Sequence, residues 1–512
     1  MKKKQLTLVI VSLLVVVLSV SLAYFTAQII GKGKDVSVTS ANLQIVFTDS
    51  DGALTETDIE PGWSATKTFT IKNDTKTEYK YNIVIKDLLN TFVTEGYLQY
   101  KITSTNNGYN MTEFKDIPKS SAPKDTILAY SVVIPNGVTQ SYTIEFKYAN
   151  DESVDQSDDM GKKLSGTLFI TVGTEEPVTL LSQILNDNPT RSTRSNSNNG
   201  TNDFATPLTA TTTGTLYTST ESITGITDSP KEVYYYAGNT TNNWVKFAGF
   251  YWRIIRTNHD SSIRLLYVGT SHDTTTGNIG TSAFNSSYNS PKYVGYKYGE
   301  DTSLDTIRNN TTDSTIKTFI DSWYQNNLTN YTKYLSTSAV YCNDRSEGTG
   351  QTYSVSGPTY EFNFASYYRM DYRADGASAN PSYNCTDIRD AFSINNTNAK
   401  LDYPVSLMTA DEIAFAGGVA FQTMNTPYAW FISNSTGSQV STYWWSLSPF
   451  SWDVSRAVVW RWNSDNANFY NDSVDGTNGV RPAISLKSCT LYSTGNGSAS
   501  DPYTIKETET GC

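Results

Sequence analysis

Between Phe450 and Asn478 the chain reads FSWDVSRAVVWRWNSDNANFYNDSVDGTN, mixing Trp, Arg, Asp, Asn, Phe and Tyr with no amphipathic period. Such residues suit recognition rather than bond-making. Trp, Tyr and Arg offer a large contact area with a polar handle at low entropic cost, and Asn and Ser add adaptable hydrogen bonds. The candidate ligand-binding residues are Phe450, Trp452, Asp453, Ser455, Arg456, Trp460, Arg461, Trp462, Asn463, Asp465, Asn466, Asn468 and Tyr470. In AVVWRWN, Val458, Trp460 and Trp462 share one face of a strand, and Ala457, Val459 and Arg461 the other. Val459 is expected to point inward, with Trp460 and Trp462 as a platform. The competing arrangement packs the rings into the core.

Bond-making chemistry has little material. The only histidines are His259 and His272, so His-based nucleophilic catalysis and His-rich zinc sites have few starting points. His272, in SHDTT, reads as a loop residue rather than a lone ligand. The cysteines, Cys342, Cys385, Cys489 and Cys512, form no CxxC pair and allow three pairings. The local pairs Cys342–Cys385 and Cys489–Cys512 are favoured over four free thiols, because the N-terminus carries an export signal. TDSDG, from Thr48, has calcium-like spacing but lacks the later acids of an EF-hand loop, and reads as an Asx turn. We expect no catalytic residue, no metal and no cofactor. The net charge of −11 comes with no basic stripe, which argues against nucleic acid. Asn-x-Ser/Thr triplets such as those at Asn110 and Asn310 follow from composition.

The elements that must position these residues are mostly strands. Charged residues are only 17% of the 512 and aromatics 13%, a β-rich balance. Residues 1–30 open with three Lys and continue into an apolar run. They read as a signal peptide cleaved after Ala23, with Ser21 at −3, or as an uncleaved membrane anchor. Residues 31–174 alternate strand after strand (TKTFTIKN, YKYNIVIKDL, QSYTIEFKYA, GTLFITVG), as in a β-sandwich. Residues 175–215 are rich in Asn, Ser and Thr and read as a flexible linker; the short apolar VTLLSQIL ahead of the polar run reads as a helix packed on either domain. Residues 216–512 form an α+β unit. Within it Ile316, Phe319, Ile320 and Trp323 share a helical face. Thr409 and Glu412 form a capping box, with Gly417–Gly418 as the stop.

Two resemblances follow. The residues Ala23, Tyr24 and Phe25, the turn Pro61–Gly62, and Lys67, Phe69 and Asn73 make residues 20–175 similar to TasA/camelysin-type proteins of Gram-positive bacteria. That resemblance implies a jelly roll and possible self-assembly by strand donation. The second rests on Trp252–Arg253, Leu265–Leu266, Trp323, LMTADEI from Leu407, YWWSLSP from Tyr443, GVRPAISL from Gly479 and GNGSASDPYTI from Gly495. It covers roughly 280 residues and resembles the C-type-lectin-like fold of formylglycine-generating enzymes and of diversity-generating-retroelement variable proteins. The cysteines lie outside the Trp-to-Arg core, so the enzyme activity is not implied. In the variable proteins, residues between framework strands are rewritten at adenines. Asn codons can yield the Asp, Ser, Tyr and Phe here, whereas Trp452, Trp460 and Trp462 require another template. No Glu-Pro-Asn or Gln-Pro-Asp occurs, which argues against calcium-mediated sugar binding. Trp444, Trp445 and Arg481 are assigned to the framework, Arg481 as a clamp on the final strand. The expected function is an exported surface adhesin that binds a protein or glycan on another surface. The alternative is a subunit of an extracellular fibre. No LPxTG appears near Cys512.

Overall fold

The computed structural model describes residues 36–40, 43–49, 54–55, 60–74, 77–194, 203–208, 215–353, 361–370, 379–441, 443–463 and 467–512. The leader, residues 50–52 of the calcium-like turn, linker residues 195–202 and 209–214, and the candidates Asp465 and Asn466 lie outside them. The chain is mainly β, 40% strand and 12% helix, in several sheets of which none closes. It divides into two compact units, Met1–Glu176 and Pro177–Cys512. No helix among the described residues is long and apolar enough to cross a membrane.

Among its described residues the first unit has ten strands: β1 (Val36–Ser40), β2 (Leu43–Asp49), β3 (Leu54–Thr55), β4 (Ser64–Asn73), β5 (Tyr79–Asn90), β6 (Leu98–Ser104), β7 (Lys115–Asp116), β8 (Ser120–Ile134), β9 (Thr139–Tyr148) and β10 (Leu164–Val172). They form two sheets, β1-β2-β4-β9-β6-β7 and β3-β10-β5-β8. Side chains alternate across a pleated strand, so the period-two sequence becomes one buried face. Phe69 and Ile71 of β4 and Tyr142, Ile144 and Phe146 of β9 meet Tyr81, Ile83 and Ile85 of β5 and Leu168 and Ile170 of β10 in one core. Asn73 is buried because its amide donates to the Thr77 and Ile134 carbonyls, tying the end of β4 to β8. Among the described residues, β10 meets β3 on its outer side at Ser165 and Gly166.

In the second unit the hairpin Phe250–Thr257 and Ile263–Gly269 turns through Asn258–Ser262 and continues into Pro482–Leu486 and Val405–Leu407. These strands are buried on both faces. The expected helix is Thr315–Asn327, capped by Ser314, whose side chain accepts from the Lys317 N–H. Ile316 and Ile320 enter the core, with Phe319 and Trp323 half-buried beside it. The capping box of Thr409 and Glu412 starts helix Ala410–Phe415. Gly417 follows at φ +116°, where a Cβ would sit 2.4 Å from the Leu208 carbonyl oxygen. Glu412 has a second task. Its carboxylate also accepts from Arg256 and Arg264, and Arg256 reaches Glu221, all with side chains at most 3% exposed.

One expectation needs correction. The described part of residues 175–215 is not a free linker. VTLLSQIL supplies the helix expected of it, Leu180–Asp187, whose Leu180 and Ile184 are 0% and 3% exposed in the second unit's core; the polar run after it is what departs from the expectation. Thr190–Thr193 pairs in parallel with Thr215–Glu221. Arg194 lies over the Phe204 ring and donates to the Phe415 carbonyl. An apolar stripe one helix long outweighs the surrounding polar composition.

Cys342 joins Cys385 and Cys489 joins Cys512, with no free cysteine. Two disulfides are consistent with an oxidising compartment.

Candidate functional site

The stretch from Tyr443 folds as an antiparallel meander, Tyr443–Asp453, Arg456–Asn463 and Asn468–Ser473. Residues directly opposite share a face. One row is Trp444, Trp462 and Phe469; the next is Trp445, Arg461 and Tyr470. The register shifts between Trp445 and Pro449, and again before Ser451. These irregularities re-aim the side chains beyond them.

The platform expected from Trp460 and Trp462 is not formed. Trp460 is 0% exposed, Trp462 1% and Val459 0%, so both faces of this strand are buried. Trp460 stacks on Phe469 at 4.5 Å, and Trp462 meets Phe431 edge-on at 5.1 Å. The alternation rule failed because the sheet is covered on both sides, and two-sided burial erases the contrast the rule reads.

Trp460 is instead the floor of an aromatic rim. Phe450 meets it edge-on at 4.6 Å, and Phe421 lies tilted against it at 5.7 Å. Tyr470, 42% exposed, packs against Phe421 at 5.2 Å, and Tyr367 against Phe450 at 5.0 Å. Phe450, Trp452, Phe421 and Tyr367 are half-buried. Thus the structure brings together Phe450, Trp460 and Tyr470 of the predicted set and adds Phe421 and Tyr367. Phe421 arrives because Ala420 bridges Phe469, with Phe421 N–H donating to the Phe469 carbonyl. Nothing local in the sequence announces that contact. The φ of +60° at Phe421 is a backbone conformation bulky residues rarely adopt.

The polar candidates flank this rim. Asp453 and Arg456 pair at 3.0 Å on the surface beside exposed Ser455. Arg461 lies over the Tyr443 ring at 4.4 Å, with Nε 3.3 Å from Asp472. Burial pushes its pKa down, and Asp472 works against that. Asn463 and Asn468 are opposite each other and half-buried. Trp444 and Trp445 are fully buried, and the Trp445 indole donates to the Ser282 carbonyl. Arg481, 1% exposed, donates from Nε and Nη2 to the Tyr267 carbonyl and from Nη1 to that of Phe431. It clamps the start of strand Pro482–Leu486 to two neighbouring segments, and two short strands, Tyr492–Thr494 and Tyr503–Ile505, follow it. Burial pushes its pKa down.

Outside the meander, oxygens of Asp313, Asp321 and Asp402 lie within 4.8 Å of one another. The cation among them is Lys317, whose Nζ is 3.1, 2.6 and 2.5 Å from the three carboxylates. His259 Nδ1 is 3.5 Å from Glu221, and His272 Nδ1 is 2.7 Å from Ser435 Oγ. His272 is thus tied to a neighbouring loop, edge-on to the Tyr251 ring at 5.3 Å.

No protein-family model matches the chain, and no curated protein sequence matches it.

Proposed function

We propose that this protein is an exported surface adhesin whose second unit, a C-type-lectin-like domain, presents the Phe450–Tyr470 rim to a protein or glycan on another surface. The observation that supports the reading most is the arrangement of the rim. Half-exposed rings stand on a buried Trp460–Phe469 stack, within a meander whose second strand pair, Val458–Asn463 with Asn468–Ser473, is in unbroken register. Rigid aromatic anchors beside Asn, Ser and Arg are what a recognition surface requires. The first unit, with a jelly-roll arrangement, then serves as stalk, and the leader directs export. Rewriting of residues 450–478 by a retroelement would alter the exposed Ser455, Arg456 and Tyr470 at little structural cost. A near-copy of that coding segment differing only at adenines, beside a reverse transcriptase gene, tests the idea. The decisive experiment on function is adhesion of cells displaying the full chain, with and without Trp452→Ala and Tyr470→Ala. Unchanged adhesion in the double variant would sink the proposal.

A second reading, a subunit of an extracellular fibre, has one observation in its favour. Among the described residues, Thr167–Val172 of β10 has no partner on its outer side, and an open edge is where an added strand docks. Concentration-dependent filaments of the mature chain, lost on deleting residues 24–40, would favour it.

A further inference from the structure

A second concavity in the second unit shares no residue with the aromatic rim. It is an open groove of about 530 Å³ beside the first turns of helix Thr315–Asn327, within the size range of small-molecule sites. Most of its hydroxyls are already engaged. Thr318 donates to the Ser314 carbonyl, Ser322 to that of Thr318, and Thr315 accepts from the Ser286 N–H. Asn285 is different. It is only 3% exposed, yet it lines the groove. Its Nδ2 donates to the Tyr293 carbonyl at 3.3 Å, which fixes the orientation of the amide. Its Oδ1 accepts no hydrogen bond from the described residues. That oxygen is not sealed from solvent, so a water or a ligand hydroxyl can donate to it.

The rest of the wall completes a pattern. Asp313 presents a carboxylate held by Lys297 at 2.9 Å and Lys317 at 3.1 Å, with lone pairs left over. The Tyr298 hydroxyl has no hydrogen bond within the described residues, and the Tyr298 and Phe319 rings supply apolar surface. Two open acceptors, one hydroxyl able to donate, and two rings are complementary to a pyranose. Its hydroxyls donate, its oxygens accept from a phenol, and its C–H faces cover rings. Beside the groove Lys297 and Lys317 are paired with carboxylates, and Lys292 lies over the Tyr298 ring at 5.8 Å. An anionic sugar would meet Asp313 unfavourably.

We propose that this groove is a binding site for a neutral oligosaccharide, with Asn285 Oδ1 and Asp313 accepting from sugar hydroxyls. The test titrates the full mature chain with cellotetraose, maltotetraose, chitotetraose and, as the anionic control, tetragalacturonate, followed by saturation-transfer NMR and calorimetry. At least one neutral probe should bind saturably and the uronate should not. Ser322→Trp, an exposed position at the groove, should weaken binding at least tenfold while leaving the melting temperature unchanged. Asn285→Leu should weaken it similarly, and if that variant does not fold, Ser322→Trp decides alone. Tyr470→Ala should have no effect on these titrations, whatever it does to adhesion, so the groove and the rim stand or fall separately. The proposal is overturned if no neutral probe binds, if the uronate binds best, or if binding persists in Ser322→Trp.

Discussion

At the residue scale, stability and recognition separate along the line between the Trp460 floor and its rim. Removing the Arg481 side chain leaves the Tyr267 and Phe431 carbonyls without their donor and opens a cavity. Arg481→Met should therefore cost about 3 kcal/mol. Trp445→Ala and Trp460→Ala, both fully buried, should cost about 3–5 kcal/mol. Arg456→Ala, an exposed position, should stay within about 0.5 kcal/mol, and Tyr470→Ala close to it. Urea unfolding of the mature chain measures all five. If Tyr470→Ala unfolds as early as Trp445→Ala, the rim is core and the adhesin reading loses its site. Much of this was legible beforehand. Arg481 sits between apolar strand residues, where a cation must find carbonyls or a carboxylate, and it found carbonyls. The fate of Trp460 was not legible. Its neighbours Phe450, Phe421 and Phe469 come from three segments, and only the fold brings them together.

At the element scale, legibility follows one-sided burial. Strands β4 and β9 alternate because one face meets water, and their pattern survives in the sequence. The central strands of the second unit, Phe250–Thr257, Ile263–Gly269 and Pro482–Leu486, are covered on both sides, so alternation gives way to runs such as IRLLYVG, buried throughout. Helix Leu180–Asp187 is the informative case. VTLLSQIL reads as a helix in the sequence, and it is the polar run after it, where Thr190–Thr193 pairs as a strand, that composition misjudged. A chain beginning at Leu216 would lack that helix and the parallel partner of Thr215–Glu221. Exposing the sites of two aliphatic side chains costs roughly 3–5 kcal/mol by burial alone. A fragment of residues 216–512 should melt well below one of residues 177–512. Equal melting temperatures would mean that the helix contributes nothing to the fold.

At the scale of the whole molecule, covalent ties and buried charge set the conditions the fold tolerates. The Cys342–Cys385 bond spans 43 residues of sequence, and closing such a loop in the unfolded chain is worth roughly 4 kcal/mol in the entropy model. Alkylation of the unreduced, unfolded protein should find no free thiol, and reduction should lower the melting temperature of the second unit. Detection of four alkylatable thiols in exported material would contradict the disulfide pairing.

The buried charges predict a pH dependence. Burial disfavours the ionised form of Glu221, but Arg256 and His259 more than offset it and hold its pKa at about 2, against an ordinary 4.5. Glu412, facing Arg264 and Arg256, and Asp344, facing Arg369, are displaced in the same direction. A carboxyl with a lowered folded pKa stabilises fully above its unfolded pKa, and that stability disappears as pH falls through the folded value. For Glu221 alone the gap is worth roughly 3 kcal/mol, at about 1.4 kcal/mol per pH unit. The second unit should therefore keep a level stability from pH 8 to about 5 and lose it progressively between about 4.5 and 2. Glu221→Gln should be less stable than the unaltered chain at pH 7, because Arg256 then keeps a weaker partner, and the two should converge near pH 2. Urea midpoints across this range measure both slopes. A level profile down to pH 2.5 in the unaltered chain would mean that the Glu221–Arg256–Glu412 network does not carry the charge its geometry implies.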